Sequence, residues 1–81
     1  MGTINIVRSK YSDYRIPEYI EEDIDKYVSQ RSDYQGNPAP EKLVLLKIAF
    51  DDVYTSIKHG AVNGFYPECE MQRLWAELRE Y

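Results

Sequence analysis

Two side chains in this chain could act as nucleophile and base, Cys69 and His59. Cys69 falls in the first turn of an expected helix, where the helix dipole would favour a thiolate. Its neighbours Glu68 and Glu70 oppose that, because nearby negative charge disfavours a second anion. His59 sits at an expected helix C-terminus, where its cationic form complements the dipole without any catalytic role. The carboxylate-rich run Glu21-Glu22-Asp23-Ile24-Asp25 lacks the central glycine and fixed ligand spacing of a calcium loop. Asp51 and Asp52 are adjacent on a helix, where neighbouring side chains diverge. No glycine-rich phosphate loop precedes a helix, so no nucleotide or other cofactor is expected and no metal site. The residues therefore indicate a protein that is not an enzyme.

The elements that would carry these side chains follow from periodicity. At 81 residues and 9.6 kDa the chain has room for one small domain, spanning 1–81. Residues 1–16 form an arm. Ile4 and Ile6 alternate as in a short strand, whereas Ile4, Val7, Tyr11 and Tyr14 fit a helical spacing. Helix 1 is expected over about 17–33, with Ile20, Ile24, Tyr27, Val28 and Arg31 on its inner stripe. A turn-rich loop, Asp33 to Pro40, follows. Helix 2 is expected over about 40–59, stopping at Gly60, and helix 3 over about 67–80, with Met71, Leu74, Trp75, Leu78 and Tyr81 inward. The fold class is mainly α: a small three-helix domain with an N-terminal extended or short-strand arm.

Helix 2 carries Leu43, Leu46, Phe50, Val53, Tyr54 and Ile57 on one face and Val44, Leu45 and Ile48 on the other. An apolar second face must be covered, either by the arm or by a second chain in a homodimer.

Charge is unevenly placed. The net charge is -4, with 14 acids against 10 bases. The arm is net basic through Arg8, Lys10 and Arg15. Residues 17–34 hold six acids and two bases, a net of -4 that equals that of the whole chain. On a helical wheel Glu18, Glu22, Asp25 and Asp33 form an outward acidic face, with Glu21 at its edge. Such a face is either simply solvated or docks on a basic partner surface. Eight tyrosines are present, and those on the arm, at helix edges or in loops (Tyr11, Tyr14, Tyr19, Tyr34, Tyr66) suit an interface or a half-buried core boundary.

An acidic chain disfavours general nucleic-acid binding. The expected helix 2–helix 3 connection, about 7 residues, is also longer than a helix-turn-helix joint. No secretory h-region and no membrane-length apolar run occurs, and the lone thiol suits a reducing cytoplasm. In size, acidity and tyrosine content the chain resembles small phage and mobile-element proteins that inhibit bacterial defence nucleases, including anti-CRISPR and anti-restriction proteins. That resemblance is one of bulk properties. It implies a DNA-mimic type of inhibitor that blocks a basic nucleic-acid site on one protein partner. The expected contact set is Glu18, Tyr19, Glu21, Glu22, Asp25, Asp33 and Tyr34, and changing Glu18, Glu22, Asp25 and Asp33 together to Lys should abolish binding. The competing expectation is a small homodimeric regulator with weak DNA contacts from the arm.

Overall fold

The computed structural model describes residues 4–79. Its elements are β1 (Ile6–Arg8), β2 (Arg15–Pro17), α1 (Glu18–Gly36), α2 (Pro40–Val62) and α3 (Glu68–Leu78). The protein is mainly helical, three helices preceded by a short two-strand hairpin.

Strand wins over helix in the arm. β1 and β2 pair antiparallel in the register Ile6↔Pro17, Val7↔Ile16 and Arg8↔Arg15. Side chains alternate across a strand, so the Val7–Ile16 pair turns to the core, where Ile16 is fully buried. Tyr11 and Tyr14, which fitted a helical spacing, lie in the connecting turn. The hydroxyls of Ser9 and Ser12 accept hydrogen bonds from the backbone N–H groups of Tyr11 and Tyr14, at 3.0 and 3.2 Å. Such local bonds satisfy the donors that a helix would otherwise use.

β2 runs directly into α1 through Pro17, whose fixed φ suits the junction. The Glu18 N–H, one of the donors left free at a helix start, bonds the Asn5 carbonyl at 2.7 Å. Ile20, Ile24 and Tyr27 are fully buried. α1 continues past residue 33 into the expected loop. Tyr34 stands seven residues after Tyr27, on the same stripe, and packs against the core. Its burial extends the helix to Gly36 despite the turn-forming composition.

α2 also runs beyond its expected end, because Gly60 is not its stop signal. The helix ends in a Schellman motif in which Gly64, at φ 84°, takes the left-handed position. The Phe65 N–H bonds the Gly60 carbonyl at 2.9 Å and the Gly64 N–H bonds the Ala61 carbonyl at 3.1 Å. Gly60 serves a different purpose: its bare Cα lets the Tyr66 ring lie against the helix backbone, with the Tyr66 hydroxyl donating to the Ile57 carbonyl at 2.5 Å. Tyr66, read from the sequence as a loop residue at an interface or a half-buried core boundary, is therefore buried in the core.

Leu46, Phe50, Val53 and Ile57 of α2 meet Met71, Leu74 and Leu78 of α3 and the α1 stripe in one core. The Tyr27 hydroxyl crosses it to the Leu78 carbonyl. Trp75 stacks on Tyr54, with ring centroids 4.0 Å apart. Tyr81, the last member of the expected α3 stripe, lies outside the described residues.

Candidate protein-docking surface

The hairpin bonds the Glu18-Glu21-Asp25 edge of α1 and its turn reaches Glu70 and Arg73 of α3, while α2 meets α1 along Asp23, Lys26 and Gln30. This placement decides what becomes of the acidic face of α1. Glu21 is a correction to the sequence reading: it is not at a solvent edge but 7% exposed. Its carboxylate accepts from the Ser9 hydroxyl at 2.7 Å and from the Lys10 N–H at 2.9 Å. Glu18 accepts from the Asn5 side-chain amide at 3.0 Å. Asp25 is held by Lys10 at 3.0 Å and by the Tyr11 hydroxyl. The Tyr11 bond, followed by that of Lys10, keeps the Asp25 carboxyl below the usual carboxylate range. Burial, reinforced by Asp25, pushes the Tyr11 phenol up to about 12.

The basic arm thus occupies the 18-21-25 edge of α1. Of the expected contact set, Tyr19 and Glu22 stay exposed, and Asp33 is exposed with an ion pair to Lys42 of α2 at 3.1 Å. Tyr34 is half-buried against the core. The expected residues therefore do not form one uninterrupted acidic ridge. The replacement of Glu18, Glu22, Asp25 and Asp33 by Lys would also remove two of the arm's anchors.

Val44, Leu45 and Ile48 answer the question of what covers the outer face of α2. They are 57%, 59% and 55% exposed, because the arm anchors instead on the Glu18-Glu21-Asp25 edge of α1 and on α3. Leu45 and Ile48 line a groove of about 270 Å³ with Asp23, Lys26 and Gln30 of α1 and Asp52 of α2. Asp51 and Asp52 stand one helical turn beyond Ile48, on the same face. Asp23 accepts a hydrogen bond from Ser56 across the helix pair. The face thus has an aliphatic centre and a rim dominated by carboxylates. Charged groups at the rim and apolar groups at the centre is the usual anatomy of a protein-docking surface.

The sequence reading did not assign Asp23, Ser9 and Tyr11 their roles. The signal available for the last two was the arm's positive charge beside a segment of opposite sign. Asp23 gave none, since its importance comes from the α1–α2 packing.

Cys69 and His59 are both exposed, and neither side chain holds a hydrogen bond among the described residues. Among those residues no group of three His, Cys, Asp or Glu side chains could hold a metal ion. No helix among them is long and apolar enough to cross a membrane. Comparison with protein-family models, with curated proteins and with solved structures gives no match.

Proposed function

We propose that the protein is a non-enzymatic binding module that docks on one protein partner through the α1–α2 face. Its concrete form is an inhibitor that covers a basic, nucleic-acid-binding site on that partner. The observation that carries this reading is the run of three large aliphatic side chains, Val44, Leu45 and Ile48, all more than half exposed in so small a protein. At the rim the carboxylates Asp23, Asp51 and Asp52 outnumber Lys26 and Lys47, and an excess of carboxylates around an apolar centre complements lysines and arginines around an apolar depression. Asp33, from the contact set read in the sequence, borders this face on α1 and pairs with Lys42 of α2.

The test is capture of a partner from cell extract by the tagged protein, followed by competition. The partner should be released by excess DNA or RNA, because both ligands would claim one site. A Leu45→Asp/Ile48→Asp variant should weaken capture by roughly 30-fold or more, as loss of central apolar contacts does at interfaces, with unchanged circular dichroism. A partner that binds nucleic acid and this protein together would overturn the blocking mechanism. Capture retained by the variant would overturn the docking face.

The reading as a DNA-contacting homodimer ranks second. Of the arm's three cations, Lys10 is engaged with Asp25, so only Arg8 and Arg15 remain to meet phosphate.

A further inference from the structure

Arg8 and Arg15 are directly opposite each other in the hairpin ladder. Directly opposed residues project from the same side of a sheet, and like charges so placed repel. Both are exposed, and neither has an ion pair or hydrogen bond among the described residues. Lys10 pairs with Asp25, Lys42 with Asp33, and Arg73 with Glu70 and Glu77. Arg8 and Arg15 differ from the other unpaired cations in standing face to face, an arrangement that an anionic surface would relieve. Around them Ile4, Ile6, Tyr14 and Tyr19 are exposed. The hairpin is therefore an apolar patch with a cationic centre.

The outer face of α2 has the opposite character. Val44, Leu45 and Ile48 are exposed, and Asp51 and Asp52, one turn further on, are exposed carboxylates without a side-chain partner among the described residues. The two patches lie along opposite edges of α1: the hairpin anchors on Glu18, Glu21 and Asp25, whereas the groove beside Leu45 and Ile48 is lined by Asp23, Lys26 and Gln30. They are also offset along α2. The hairpin turn reaches the far end of α2, where Tyr14 meets Tyr66 beside Gly60, about 22 Å along the helix from Leu45.

From these two unpartnered and complementary patches we infer that the protein self-associates head to tail, the Arg8–Arg15 hairpin of one copy docking on the Val44-Leu45-Ile48-Asp51-Asp52 face of the next. Patches on opposite edges of α1 are met by two different neighbours, so the contact is heterologous and closes into a ring or grows as a chain. The contact does not rest on the proposed inhibitory function. It uses the same α2 face, so a partner seated there would cap the growing end.

The experiment is light scattering on the full chain at rising concentration, with two charge-reversed variants, Arg8→Glu/Arg15→Glu and Asp51→Lys/Asp52→Lys. All four positions are exposed, and circular dichroism verifies that both variants stay folded. The wild type should exceed the 9.6 kDa of one chain as concentration rises into the hundreds of micromolar. Each variant alone should remain at one chain, because its two patches then carry the same sign. An equimolar mixture of the variants should regain the wild-type mass, since each offers the surface that the other lacks. A wild type that stays monomeric throughout would overturn the inference. So would variants that associate as the wild type does, which would mark a two-fold apolar dimer, or a mixture that fails to recover.

Discussion

Gly60→Ala should destabilise the protein, although the same change in most helix interiors is stabilising. Ala is favoured over Gly within a helix by about 1 kcal/mol. Gly60 stands inside α2, and a methyl group added there would lie 2.6 Å from Cζ and 2.8 Å from Cε2 of Tyr66, with the hydroxyl oxygen closer still. Carbon atoms normally meet at about 3.5–4.0 Å, so the ring has to move. Tyr66 is buried, and its hydroxyl bond to the Ile57 carbonyl fixes it. Forcing a side chain from a filled core costs about 1–3 kcal/mol, and the lost hydrogen bond adds about 1 kcal/mol. Set against the gain in helix propensity, the net loss is about 1–3 kcal/mol.

Urea unfolding followed by far-ultraviolet circular dichroism measures this directly. The midpoint should fall with little change in slope. In a Tyr66→Ala background the added methyl meets no ring, so Gly60→Ala should become neutral or favourable there; the sign reversal is the coupling between the two sites. Gly36→Ala, where nothing lies within 4 Å of the new methyl, is the control and should not destabilise. A single Gly60→Ala variant as stable as wild type would refute the packing argument.

Tyr27→Phe should cost about 1–2 kcal/mol in the same unfolding assay, because it leaves the Leu78 carbonyl without its buried donor. Glu21→Ala removes the acceptor for the Ser9 hydroxyl and the Lys10 N–H, at about 2 kcal/mol for two charge-assisted bonds. Hydrogen exchange at the Lys10 amide should rise at the same time, and an unchanged rate would show that Glu21 does not clamp the hairpin. Stability should depend on pH at both extremes. The carboxyls of Asp25, held low chiefly by Tyr11, and Glu70, held low chiefly by Arg73, contribute stability above their unfolded values near pH ~4 and lose it as pH falls through their folded values. Tyr11, pushed up to about 12, and Tyr66, raised in the same direction, both chiefly by burial, contribute below pH ~10 and lose that contribution as pH rises beyond it. Denaturation midpoints across pH 2–12 check both arms of the curve, and a flat alkaline arm would argue against the burial of these phenols.

The helices were legible because their apolar periodicity is strong and their burial follows it: Ile20, Ile24 and Tyr27, then Leu46, Phe50, Val53 and Ile57, then Met71, Leu74 and Leu78. Their ends were less so. Gly60 and Gly64 are the same residue type four positions apart, and only the placement of Tyr66 distinguishes a glycine that admits a ring from one that turns the chain. Residues 33–36 read as a turn by composition, while the burial of Tyr34 holds them in α1. The arm was ambiguous because Ile4 and Ile6 support a strand while Val7, Tyr11 and Tyr14 support a helix. The Val7–Ile16 pairing that resolves it is a contact between segments. The outer aliphatics of α2 were visible in the sequence, but not that the arm would leave them uncovered.

A count of charges cannot separate a carboxylate ridge that awaits a partner from one that its own chain already occupies. Here the two possibilities divide by residue. Asp25 belongs to the hairpin, through Lys10 and Tyr11, whereas Leu45 and Ile48 line a groove with Asp23, Lys26 and Gln30 of α1. Asp25→Lys should therefore loosen the hairpin and leave partner capture intact. Leu45→Asp/Ile48→Asp should weaken capture roughly 30-fold or more and leave the hairpin in place. Exchange at the Lys10 amide reports the hairpin, and the capture assay reports the docking face, so each variant is read by both. The opposite pattern, with capture lost through Asp25→Lys while the Lys10 amide stays protected, would return the docking role to the acidic edge of α1. It would also reduce the exposed aliphatics of α2 to surface without a partner.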